Sequence, residues 1–288
     1  MLITRDSLDA GAAGQRESDH GAAPVLQVKS LSKEYSGARR GIKSTLRRAT
    51  AALNDVNLTA HRGEFVSIVG PSGCGKSTLL LCILGLLAPS SGQITVNGTK
   101  VEGPGIERAI VFQQASLLPW RNIIDNAQYG LELQGGVGRR IRKERAQTAL
   151  DLVGLGDFMG HYPHQLSGGM QQRVNLARAL TTGPDILLMD EPFGALDALT
   201  KRQMQEEVSK IVASTACTTI FITHDIDEAV LLGDRVLVMA ANPGRIIHEA
   251  QVKLERPRTS DVADSAYVRE LAHELRAKIT SGPAEAAE

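Results

Sequence analysis

Residues 70–78 read Gly-Pro-Ser-Gly-Cys-Gly-Lys-Ser-Thr, and Gly70 through Ser77 fit the pattern G-x-x-x-x-G-K-[ST] of a phosphate-binding loop. An apolar run, 65–69, precedes the loop and a helix-forming run, 78–84, follows it. That is the strand–loop–helix setting the pattern requires. Gly70, Gly73 and Gly75 let backbone N–H groups turn inward, and the positive end of the following helix favours an anion there. Pro71, Ser72, Cys74 and Thr78 complete the wall of the expected polyphosphate site. The Lys76 ammonium can reach the terminal phosphates, and the Ser77 hydroxyl is placed to ligate Mg²⁺.

Outward from the loop, periodicity predicts strands at 26–35, 52–60, 64–69, 92–96, 109–112, 186–189, 219–223, 236–239 and 246–252. Apolar positions 123, 124, 127 and 131 predict one helix over 122–133, broken by Gly135, Gly136 and Gly138. Further helices are expected at 141–153, from the N-cap type Ser167 onward, at 198–212 and at 264–278. Strands alternating with helices predict an α/β fold, with a mostly parallel sheet, helices on both faces and ligands at the carboxyl ends of the strands. The organisation expected is a leader over 1–24, one domain over 25–255 with a helical insert at about 115–165, and a C-terminal helix and tail over 256–288.

The 32 Lys and Arg balance 32 Asp and Glu, so no global charge recruits nucleic acid or an acidic membrane. One local excess stands out. Arg39, Arg40, Lys43, Arg47 and Arg48 crowd the stretch 36–50, which reads either as a solvated loop or as a docking site for an acidic partner or lipid headgroups. Cys74, Cys82 and Cys217 have no metal-ligand spacing and suit free thiols in a reducing compartment. Charges fill the first 24 residues, and no apolar run approaches the ~20 residues of a membrane-spanning helix.

Two later stretches add chemistry. The run Ile186-Leu187-Leu188-Met189-Asp190-Glu191 is an apolar strand ending in two carboxylates, with Asp190 set for the Mg²⁺ shell and Glu191 for polarising an attacking water. Leu166-Ser167-Gly168-Gly169-Met170-Gln171-Gln172-Arg173 opens a helix with a small, bare N-terminus suited to an anion.

With these motifs in order, the span 26–252 resembles an ATP-binding-cassette ATPase, the nucleotide-binding subunit of a transporter. That resemblance identifies residues 70–78 with the Walker A loop, 186–191 with Walker B and 166–173 with the signature motif. Gln113 matches the Q-loop glutamine, His224 the switch histidine, and Gly194-Ala195-Leu196-Asp197 the D-loop, with glycine at 194 where serine is commoner. Tyr35 sits where the family places an adenine-stacking aromatic. It implies a P-loop fold with a RecA-like core, an antiparallel β subdomain and the helical insert.

The implied mechanism sandwiches two ATP molecules in a two-fold dimer, each phosphate loop facing the partner's Ser167, Gly168 and Gly169. Lys76 then holds the γ-phosphate, Ser77, Asp190 and Gln113 attend Mg²⁺, Glu191 positions water and His224 stabilises developing charge. The implied partners are a second copy, an integral membrane permease and, indirectly, a solute-binding protein, at the cytoplasmic face of the membrane. A soluble cassette ATPase of translation or repair is the alternative. Read singly, Gln113 could be a surface amide, His224 a core histidine and Tyr35 a core aromatic, while order and spacing favour the family reading for Gln113 and His224.

Trp120, within Ser116-Leu117-Leu118-Pro119-Trp120-Arg121-Asn122, is either an interface anchor for the permease or a core residue. This stretch and Asn242-Pro243-Gly244-Arg245-Ile246-Ile247 resemble the subfamily serving nitrate, sulfonate or taurine importers. Cys74, beside an ammonium and a helix N-terminus, is expected to be the fast-reacting thiol.

Overall fold

The computed structural model describes residues 23–35, 50–215, 217–256, 258, 262 and 265–280. All but the last two residues of the expected leader 1–24, all but Thr50 of the basic stretch 36–50, and the tail beyond 280 lie outside the described residues. The larger sheet has six strands in the order β10-β9-β3-β8-β7-β6. These are β3 (Phe65–Val69), β6 (Arg108–Val111), β7 (Ile186–Asp190), β8 (Thr218–Ile222), β9 (Arg235–Ala240) and β10 (Arg245–Gln251). All neighbours pair in parallel except β9 with β10. The central strands β3 and β8 are buried along their whole length, as their unbroken apolar runs require of strands covered on both faces.

A second, antiparallel sheet has the order β2-β1-β4-β5, from β1 (Leu26–Tyr35), β2 (Thr50–Ala60), β4 (Ser91–Val96) and β5 (Thr99–Lys100). Asn97 and Gly98, with φ of 49° and 76°, form the tight β4–β5 turn that the Asn-Gly pair predicts. This sheet and helix α1 (Lys76–Leu84) cover one face of the six-stranded sheet, against Ile68, Ile186, Leu188 and Ile220. The opposite face, carrying Phe65, Leu187, Met189 and Phe221, packs on α5 (Gly168–Thr181) and α6 (Ala198–Thr215). Alternate residues of one strand thus feed two cores.

The helical region comprises α2 (Ile123–Ala127), α3 (Tyr129–Gln134) and α4 (Arg139–Leu152), gathered around α5. The single helix expected over 122–133 is instead two. It is interrupted at Gln128, just before Gly130, where an added Cβ would come 2.7 Å from the Thr182 side chain. Two further helices, α7 (Ile226–Leu232) and α8 (Ala266–Thr280), close a third apolar cluster over Val69, Val236 and Val238. Helix α7 was absent from the sequence expectation. None of the described helices is long and apolar enough to cross a membrane.

Candidate functional site

The phosphate loop joins the carboxyl end of β3 to α1. Gly75, with φ of 93°, caps α1 without a side-chain acceptor, so the first turn keeps its amide dipoles for an anion. A Cβ there would sit 2.7 Å from Leu53 Cδ2 and 2.8 Å from the Ala52 carbonyl, which leaves room only for glycine. Gly73, with φ of 78°, faces open space. Lys76 is only 7% exposed, its ammonium donating to the carbonyls of Gly70 at 2.8 Å and Pro71 at 3.1 Å. The lysine is therefore already held over the loop.

Asp190 ends β7 within hydrogen-bond reach of Ser77. Burial raises its pKa and the Glu191 charge adds to this, while the Ser77 hydroxyl and the Lys76 ammonium pull the other way; the net shift is upward. A carboxylate so destabilised gains from a cation. One hydroxyl and one carboxylate oxygen facing phosphate space form the hard-oxygen set that Mg²⁺ accepts alongside water and phosphate oxygens.

Glu191 follows with φ of 46°, a left-handed conformation that only glycine adopts freely. Its amide is held by the Ile222 carbonyl at 2.9 Å, and Phe193, fully buried, packs 5.7 Å from the Phe221 ring to anchor the turn. Burial of one such ring contributes about 1.5–3 kcal/mol. The anchored turn aims Glu191 Oε2 at His224 Nδ1, 3.1 Å away. The His224 side chain is 63% exposed, which excludes the core reading for it.

Gln113, beyond the end of β6, is exposed and lies against the turn after Glu191. A Cβ on Gly194 would come 2.8 Å from its Nε2, so the glycine found in place of serine lets the amide rest there. The Phe112 carbonyl, one residue earlier, accepts from Gln172 Nε2 at 2.9 Å and ties the start of this segment to α5. Asp197 caps α6, its carboxylate accepting from the Thr200 amide and hydroxyl, and the Thr200 bonds lower its pKa. Tyr35 is 43% exposed with its hydroxyl 3.5 Å from Thr78 Oγ1, beside the loop rather than in the core.

Ser167 accepts from the Met170 amide at 3.3 Å as the N-cap of α5. Gly168 faces open space, while Gly169 approaches Thr200 so closely that a Cβ would come within 2.4 Å. No described hydrogen bond joins Ser167–Gly169 to residues 70–78. One chain therefore assembles Tyr35, the phosphate loop, Asp190, Glu191, Gln113 and His224 around one centre and carries the signature helix on separate elements.

A family model described as ABC transporter matches residues 53–194. The taurine import ATP-binding protein TauB of Rhizobium johnstonii is 49% identical over 240 residues, covering 81% of this chain and 91% of that protein. The chain belongs to the ABC transporter family as an ATP-binding subunit. Among solved structures it is similar to a dimeric post-hydrolysis state of the ATP-binding cassette MJ0796 bound to ADP and Pi, with TM-score 0.66 and 32% identity over 80% of this chain and all of that one. It is also similar to cbiO1 of Clostridium perfringens, part of the transporter complex cbiONQ, with TM-score 0.71 and 26% identity over 89% and 98% of the two chains. This ABC subunit is thus an ATPase with the expected P-loop cassette fold.

Two sequence expectations need correction or completion in the cassette. Cys74 is wholly buried, its sulfur packed into the core near Gly70 and 3.7 Å from Lys76 Nζ, so it contributes backbone to the loop while its thiol is out of reach. Trp120, by contrast, is 72% exposed and is no core residue. The residue that shapes its loop was missed. Asn126, fully buried, accepts from the Leu118 amide at 2.7 Å and donates to the Leu118, Arg121 and Asn122 carbonyls, fastening both flanks of Trp120. Its only sequence signal is a polar residue inside an apolar helix face.

Proposed function

We propose that this subunit energises import of a small solute, of the nitrate, sulfonate or taurine type, by closing on a second copy around two ATP molecules and reopening after hydrolysis. The observation that carries this is the Glu191–His224 pair, set at the ends of β7 and β8 beside the phosphate loop. Lys76 and the α1 amides would hold the phosphates, the Tyr35 ring would stack on the base, and Ser77, Asp190 and Gln113 would hold Mg²⁺. When bound, that ion neutralises phosphate charge and fixes its oxygens. Glu191 accepts the proton of the attacking water, and His224 orients Glu191 and the γ-phosphate oxygens. Ser167, Gly168, Gly169 and Asp197 act on the partner's nucleotide; no described hydrogen bond joins Ser167–Gly169 to the phosphate loop of their own chain.

The exposed Trp120 loop offers an apolar anchor to a membrane permease, which would hold the subunit at the cytoplasmic face and connect it to a solute-binding protein. The import reading is supported by the name of the taurine relative, and the dimer by the state of the MJ0796 structure. The test is Glu191→Gln. It should retain ATP and form an ATP-stabilised dimer by light scattering while turnover falls about 10²- to 10⁴-fold. Hydrolysis at the wild-type rate would reject the reading.

A further inference from the structure

Asp197 is the last residue before α6, and His224 lies two residues before α7. Across the gap between these helices runs a cluster that the assignment above leaves unused. Lys201 Nζ stands 2.8 Å from Asp225 Oδ2 and 2.6 Å from Glu228 Oε1. Gln205, one turn further along α6, donates to the same Glu228 oxygen at 3.2 Å. The other Glu228 oxygen accepts from the Thr223 hydroxyl, which in turn accepts from the Asp225 amide at 3.0 Å. Thr223 and Asp225 are the two neighbours of His224.

Both flanks of the histidine are therefore gripped by one carboxylate network centred on the buried Glu228, and one ammonium from α6, with Gln205 beside it, holds that network. His224 itself has little other restraint, being mostly exposed with the Glu191 contact at its Nδ1. At the other end of the link, the Lys201 amide bonds the Asp197 carbonyl at 2.8 Å, and Leu199 between them is 70% exposed. A large apolar side chain left in solvent beside Asp197 fits a surface that a second copy covers.

We propose that Lys201 is a positioning residue for turnover: it ties the first turn of α6, where a second copy docks, to the segment that places His224. Docking at Asp197 and Leu199 then reaches the imidazole through one charged contact, and closure of the dimer and alignment of His224 become a single event. This rests on the dimeric reading of hydrolysis above. Side-chain bonds of this kind transmit position because they are short and converge on the buried Glu228, so neither helix can shift alone without breaking a charge-assisted bond.

A lysine that merely neutralises a buried Glu228 would show the same contacts, so the experiment must separate the two. Lys201→Met is expected to lower kcat about 10- to 100-fold, the cost of an ångström-scale misplacement remote from the chemistry. KM for ATP should stay within about twofold, since no ground-state contact with nucleotide is lost. In a Glu191→Gln background the ATP-stabilised dimer should persist. Lys201→Arg, which keeps the charge, should recover most of the lost kcat. The double variant K201M/E228Q removes the uncompensated charge; it should regain melting temperature while kcat stays low. Wild-type kcat in folded K201M would overturn the proposal, as would recovery of kcat in step with melting temperature in the double variant. Absence of an ATP-stabilised dimer in Glu191→Gln alone would instead overturn the dimeric reading, so the two failures are distinct.

Discussion

His224 Nδ1 and Glu191 Oε2 lie 3.1 Å apart, which makes the ends of β8 and β7 one chemical unit. Residues that act as a unit lose function together when either is removed. His224→Ala should therefore lower kcat about 10²-fold or more, and adding it to Glu191→Gln should cost little beyond the single Glu191 change. A double variant whose losses multiply would show that the two side chains act independently. The cycle is read from ATP turnover alone.

The Lys76 ammonium rests on the Gly70 and Pro71 carbonyls, so a bound phosphate exchanges neutral acceptors for a charged one. Lys76→Ala should weaken ATP binding by about 10- to 100-fold, the equivalent of one charge-assisted hydrogen bond of roughly 1.5–3 kcal/mol. Calorimetry of ATP binding checks this directly. Unchanged affinity would place the phosphates elsewhere.

Trp120 is exposed on a loop whose shape comes from Asn126 rather than from the indole itself. Trp120→Ala should leave melting temperature and basal turnover of the isolated subunit unchanged while weakening capture by its permease by about 2 kcal/mol or more. Asn126→Ala should do both kinds of damage. It strips four hydrogen bonds from a buried site, and each orphaned backbone group costs about 1–3 kcal/mol.

Thiol chemistry gives a pH prediction. Burial pushes the Cys82 thiol up to about 11 and the Cys217 thiol up to about 12, in the latter case with the Asp185 charge adding to it. A raised thiol pKa means that the folded chain keeps a proton the unfolded chain gives up near 9.0. Their contribution to stability is thus complete below about pH 9 and is lost as pH climbs toward 11 and 12. Denaturant midpoints should fall across that interval, and Cys82→Ala should flatten the fall. With Cys74 buried as well, native protein at pH 8 should show no fast-reacting thiol. Rapid MgATP-sensitive alkylation of Cys74 would contradict its placement in the core.

The parts of the cassette that could be read from sequence are those with a local period or a contiguous motif. Phe65–Val69, Ile186–Asp190 and Thr218–Ile222 are buried on both faces, so their apolar runs announced them. The phosphate loop announced itself by its glycines. Helix α7 escaped because seven residues give barely two turns of periodicity, and its start merges with the strand end at His224. The break at Gln128 escaped because the apolar positions 123, 124, 127 and 131 keep one helical period across it. The Cys74 thiol was misplaced for a related reason: a motif tells where the backbone turns but not which side chains turn back into the core. The Lys201 cluster joins residues more than twenty positions apart, and no spacing rule connects them.

Glu191 adopts a backbone conformation that disfavours any side chain bearing a Cβ, at a cost of about 1–3 kcal/mol. A glycine there would fold with less strain and do no chemistry. In this cassette robustness and turnover are thus opposed at a single position. Neutral drift toward a sturdier fold erodes the enzyme first, and a lineage that no longer transports anything will be recognisable by a relaxed residue 191 before its phosphate loop decays.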